Sequence, residues 1–170
     1  MRNKNTLRIV QAGVIAALYA ALTYFSNIFA LAYSGIQFRI SEALTVLPVF
    51  TPAAIPGLAV GCVIANLASP FGVIDIICGS VATLLAGACS RALGKLRFKG
   101  LPVLSSIMPV IFNMLIIGME ISFLSAGGFS AELFVLSAIQ VGAGELAVCL
   151  VLGLPLFRFV EKSSISKYLA

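Results

Sequence analysis

Six apolar runs, separated by short polar breaks, leave this chain few folds to choose from. They cover about Ile9 to Leu31, Ile40 to Phe50, Leu58 to Ala68, Val73 to Ala92, Leu101 to Leu124 and Ser130 to Val160. Segments of about 20 apolar residues match the hydrocarbon thickness of a bilayer. In lipid the backbone must satisfy its own polar groups, which makes each spanning run a helix. Of the 170 residues, 61% are hydrophobic and 10% charged, so no stretch remains for a soluble domain. The expected fold is an all-α integral membrane protein: one membrane-embedded domain over residues 1–170 with six transmembrane helices.

The breaks carry turn chemistry. Ala32-Tyr33-Ser34-Gly35 ends the first run, Ser69-Pro70-Phe71-Gly72 the third and Ser125-Ala126-Gly127-Gly128 the fifth, while Ser130 is placed to cap the sixth. Thr51-Pro52 with Pro56-Gly57 marks a tight turn between the second and third runs. Those two runs are short, and the second carries Pro48; they read as two kinked, tilted helices, with a single re-entrant hairpin as the alternative. The stretch after Arg8 is too long for the apolar core of a signal peptide and reads as a retained first helix. No internal repeat is evident, which argues against an inverted-repeat transporter.

Ten of the eleven basic residues fall into three clusters: Arg2, Lys4 and Arg8; Arg91, Lys95, Arg97 and Lys99; Arg158, Lys162 and Lys167. With six spans, all three clusters lie on one side. The positive-inside rule makes that side cytoplasmic, and both termini with it. The net charge of +5 is thereby explained by the lipid bilayer. Nucleic acid is not an expected partner, since no basic patch is interleaved with exposed aromatics.

Arg39 is the basic residue outside these clusters, in Gln37-Phe38-Arg39-Ile40-Ser41-Glu42. An ionisable pair beside membrane-spanning sequence is costly to keep and marks a candidate site. In the expected topology Glu42, Asn66, Asp75, Asn113, Glu120, Gln140 and Glu145 join Arg39 in the outer half of the bundle. Asn113 and Glu120, seven residues apart, share a helix face. Each has a plainer reading. Arg39 and Glu42 can form an ion pair on one helix face, Asp75 and Glu132 can answer a helix N-terminus, and Asn113 and Gln140 can bond neighbouring helices. Glu120 and Glu145 are the hardest to explain by structure alone. One cation facing at least four carboxylates describes an outward-opening cavity for a ligand with a positive charge or several hydrogen-bond donors.

Chemistry at the site is not expected to be catalytic. The sequence holds no His, no Walker loop, no GxSxG and no Asp-rich metal motif, so neither an enzyme, a cofactor nor a metal is expected. Cys62, Cys78, Cys89 and Cys149 lie in apolar runs without ligand spacing and read as small buried residues. A chain that moves solute without hydrolysing ATP uses an ion gradient or borrows an ATPase. The first run has small residues at four-residue spacing, Ala12, Ala16 and Ala20 with Gly13, Ala17 and Ala21 beside them. Such a stripe lets another helix approach closely, either inside this chain or on a partner.

The stretch Gln37 to Pro48 resembles the hallmark sequence of the QueT family. Its continuation does too: Thr51-Pro52-Ala53-Ala54-Ile55-Pro56-Gly57-Leu58, Gly61-Cys62, Ile64-Ala65-Asn66-Leu67, Asp75-Ile76-Ile77-Cys78-Gly79-Ser80 and Ala82-Thr83-Leu84. The resemblance covers most of the chain and is weakest after Gly100. It implies a substrate-binding S component of an energy-coupling factor (ECF) importer in the bacterial cell membrane. The implied substrate is a queuosine precursor, a 7-deazaguanine base such as preQ1, preQ0 or queuine. The implied partners are a shared transmembrane subunit, met through an alanine-rich face of the first helix, and two ATPase subunits. Ala12, Ala16 and Ala20, or Ala17 and Ala21, would carry that docking. The alternative is a stand-alone proton- or cation-coupled transporter.

Overall fold

The structure is a computed structural model that describes residues 4–29, Ala32 and 37–169. Arg2, Leu31 at the end of the first run, and residues 33–35 of the break after it lie outside the described residues. The elements are α1 (Lys4–Ile28), a 3₁₀-helix (Ile40–Val49), α2 (Ala54–Asn66), α3 (Val73–Leu93), α4 (Val103–Ala126) and α5 (Ala131–Val148). A π-helical turn (Cys149–Gly153), α6 (Leu154–Lys162) and α7 (Ile165–Leu169) follow. Four helical stretches are long and apolar enough to cross a membrane: Lys4–Ile28, Val73–Leu93, Val103–Ala126 and the continuous run Ala131–Lys162.

Two expectations need correction at the second and third runs. The turn is confined to residues 50–53, and Pro56-Gly57 lies inside the first turns of α2. Proline is tolerated there because the first N–H groups of a helix have no intrahelical acceptor. Gly57 is needed for contact: a Cβ on it would lie 2.8 Å from the Ala12 carbonyl oxygen. The second run is a ten-residue 3₁₀-helix containing Pro48. At about 2.0 Å per residue it reaches about 20 Å, where an α-helix of the same length would reach about 15 Å. Both it and the 13-residue α2, at about 20 Å each, are shorter than the hydrocarbon core of about 30 Å.

Neighbouring elements pack along their lengths and alternate in direction from the 3₁₀-helix onward. At one end of the bundle, the Ile40 amide donates to Ser26 Oγ of α1 at 3.1 Å. At the other, Thr51 Oγ1 donates to Gln11 Oε1 at 3.0 Å, and the Arg91 guanidinium donates to the Pro48 carbonyl at 3.0 Å. The helix α2 then returns beside α1, and Tyr24 at its far end donates to the Ile64 carbonyl at 2.8 Å. Ser90 of α3 and Ser105 of α4 each donate to the other's carbonyl, at 2.8 and 2.9 Å, pinning that connection where the basic loop lies. Gly127 closes α4 in the left-handed region (φ 65°), and Ser130 caps α5 by accepting from the Leu133 amide, as the sequence predicts.

The core gathers Ile15, Tyr19, Leu44, Leu47, Leu58, Cys62 and Val160 around the 3₁₀-helix. Large apolar side chains also cover the outside: Ile9, Ile77, Phe123 and Ile139 are each more than half exposed. An apolar exterior over an apolar core suits a chain whose solvent is lipid.

Candidate functional site

Six segments converge on one polar interior: the second half of α1, the N-terminal end of the 3₁₀-helix, the end of α2, the start of α3, and the facing stretches of α4 and α5. Arg39, just before the 3₁₀-helix, is 4% exposed. Its Nε donates to the Ala32 carbonyl at 3.0 Å, and its guanidinium lies 3.5 Å from Asp75 Oδ2. Asp75 occupies the first turn of α3, where unpaired amides and the helix dipole also favour a carboxylate. Asn66, at the end of α2, donates from Nδ2 to the Asp75 backbone carbonyl at 2.8 Å. The side-chain oxygen of Asn66 has no partner among the described residues.

Further along the 3₁₀-helix, Glu42 is buried and accepts a hydrogen bond from the Tyr19 hydroxyl on α1. Its second oxygen has no partner among the described residues. Thr23, one turn beyond Tyr19 on α1, donates from Oγ1 to Ser41 Oγ, just before Glu42, at 2.7 Å. On the opposite wall Asn113 of α4 donates to Glu145 Oε1 of α5 at 2.9 Å. The Cys149 thiol links the walls, 3.8 Å from the Glu42 backbone carbonyl and 3.9 Å from Glu145 Oε2. A single protein cation among these groups, Arg39, stands against Glu42, Asp75, Glu120 and Glu145. Carboxylates buried in excess over cations are expensive, and a donor-rich or cationic ligand relieves that cost.

Seven of the eight predicted binding residues are buried: Arg39, Glu42, Asn66, Asp75, Asn113, Glu120 and Glu145. Gln140 is half-buried and joins none of the contacts above. Glu120 shares the buried face of α4 with Asn113; the Cys78 thiol of α3 faces it, and neither carboxylate oxygen lies within ordinary hydrogen-bond distance of a described residue. Glu132 is exposed in the first turn of α5, as a helix-start carboxylate would be.

Sequence reasoning missed Tyr19, which reads there as one more apolar residue in an alanine-rich helix. Its spacing was a usable signal, because Tyr19 lies three and seven residues beyond Ala16 and Ala12 and therefore shares their face. That face is turned inward. Ala16 and Ala20 are buried, and Ala12 and Ala16 meet Gly57 and Gly61 of α2. Gly13, Ala17 and Ala21, on the neighbouring stripe, are exposed.

The family model described as QueT transporter matches residues 9–162. The queuosine precursor transporter QueT of Lactococcus lactis subsp. cremoris (strain MG1363) is 38% identical over 85 residues, a match covering 50% of this chain and 50% of that protein. The chain thus spans about half the length of the curated relative it matches. No solved structure matches the chain. From the match over residues 9–162, this chain belongs to the QueT transporter family.

Proposed function

We propose that this chain is the substrate-binding S component of an ECF-type importer in a bacterial cell membrane, and that it takes up a queuosine precursor. The observation that carries the reading is the buried acidic interior: Glu42, Asp75, Glu120 and Glu145 around Arg39, at the end of the bundle away from the basic clusters. A 7-deazaguanine base presents a guanine-like edge of parallel donors, which a carboxylate accepts in pairs, and its aminomethyl form adds an ammonium. The name of the Lactococcus lactis relative supports the same substrate class. In this reading Glu42 takes the donor edge, Asp75 or Glu145 answers a positive charge, and Arg39 orients Asp75 or bonds the carbonyl of the base.

The bundle is read as six passes with both termini cytoplasmic, the 3₁₀-helix and α2 forming two short ones. The alternation of direction along the chain and the basic clusters at one end support it. Docking onto a shared transmembrane subunit is assigned to Ala17 and Ala21, with Gly13, because Ala12 and Ala16 are occupied by α2 and Ala20 is buried. ATP hydrolysis falls to separate subunits.

The test is a thermal-shift and calorimetric titration of the purified chain with preQ1, preQ0, queuine and guanine. A ligand that binds the folded state raises its stability in step with concentration over the dissociation constant. Selective stabilisation by one deazaguanine supports the reading and names the substrate. Silence from all of them, with a folded sample, removes it. Uptake by the chain alone in vesicles with a pH gradient would favour a stand-alone coupled transporter instead.

A further inference from the structure

A groove of about 500 Å³ runs between α3 and α4, with Ile74 and Cys78 on one wall and Leu115, Met119, Glu120 and Phe123 on the other. Its rim faces outward, since Ile74, Leu115 and Phe123 are each about half exposed. Glu120 is the charged residue of the lining and is 5% exposed; the Cys78 thiol faces it, and neither carboxylate oxygen lies within ordinary hydrogen-bond distance of a described residue. A lipid tail would satisfy the apolar wall and leave the carboxylate no stronger donor than the Cys78 thiol in a low-dielectric setting, an expensive arrangement. The better match is a small carbon frame that carries amine or hydroxyl donors.

We infer that this groove is a subsite for the C7 substituent of the 7-deazaguanine base, with Glu120 accepting the substituent's donors and Met119 and Phe123 packing its carbon frame. This rests on the substrate reading above and deepens it. It separates two tasks among the carboxylates, leaving the base edge to Glu42 and the polar interior, and giving discrimination among precursors to Glu120. A nitrile substituent has no donor to offer and forfeits the contact.

The experiment is calorimetry on the purified full chain with three ligands that differ only at C7: unsubstituted 7-deazaguanine, the nitrile and the aminomethyl form. Glu120→Gln is expected to weaken the aminomethyl form by about tenfold or more, and the other two by clearly less. Met119→Trp, which fills the groove from its rim, is expected to weaken both substituted forms and spare the unsubstituted base. An equal loss for all three ligands in Glu120→Gln would place Glu120 on the base itself and overturn the subsite. Unchanged affinities in both variants would also overturn it, leaving the groove to lipid or a partner helix. Failure of the wild-type chain to bind any of the three overturns the substrate reading, and the subsite falls with it.

Discussion

The two halves of α1 meet their neighbours by different physics. Through Ala12 and Ala16 the first half lies against Gly57 and Gly61 of α2, in a seam closed by backbone-to-backbone approach. Through Tyr19, Thr23 and Ser26 the second half hydrogen-bonds to Glu42, Ser41 and the Ile40 amide. In lipid, burial of apolar surface does not drive helices together, so close packing of small residues supplies association in the first half. Hydrogen bonds in the second half stabilise less than they specify: each buried polar group must find its one partner, and a missing partner costs more than a present one gains. Close packing and polar pairing are therefore separable along one helix.

The largest break in that separation is Arg39→Ala. It leaves Asp75 buried without its counter-ion, and loss of one partner of a buried pair costs about 3–5 kcal/mol. Thermal unfolding in detergent should fall accordingly, and the double variant with Asp75→Asn should recover part of the loss. A double variant as unstable as Arg39→Ala alone would show that the Asp75 contact is not what Arg39 maintains. Next in size is Gly57→Ala, which pushes a Cβ against the Ala12 carbonyl and should cost about 1–3 kcal/mol of stability. Ligand affinity extrapolated to the folded state should stay unchanged, because the seam lies away from the polar interior.

Glu42→Gln should do the reverse. The amide keeps an acceptor for the Tyr19 hydroxyl, so the melting temperature should move little, while binding of a 7-deazaguanine weakens by about tenfold or more, about 1.4 kcal/mol. Unchanged affinity would take Glu42 out of the ligand's contact set. The smallest effect on the isolated chain is expected from Ala17→Leu, on the exposed stripe of α1. Neither folding nor ligand binding should change. Assembly with the shared transmembrane subunit should be lost, read by co-purification. Intact assembly would move the docking surface elsewhere.

Much of this fold was legible because its punctuation is local. Gly127, Ser130 and the break at Ser69–Gly72 stop or start helices through backbone conformation and capping, which need no distant partner. The turn at Pro56-Gly57 was misread for a related reason. Proline and glycine there look like a break, yet one lies where a helix tolerates proline and the other where α1 comes too close for a side chain. The site was legible as a list and not as a set of pairs. Arg39 and Glu42 sit three apart and read as partners, whereas Arg39 pairs with Asp75 and Glu42 accepts from Tyr19.

From the sequence alone came the membrane class, most of the helix ends, the sidedness argument from the basic clusters, and the list of carboxylates that lie buried. The tertiary structure decided which stripe of α1 is free, that residues 40–49 stretch as a 3₁₀-helix, and which acid found which donor. The reason lies in the solvent. Where lipid outside is as apolar as the core inside, an alanine face carries no mark of which way it points, and only the glycines of α2 against Ala12 and Ala16 settle it.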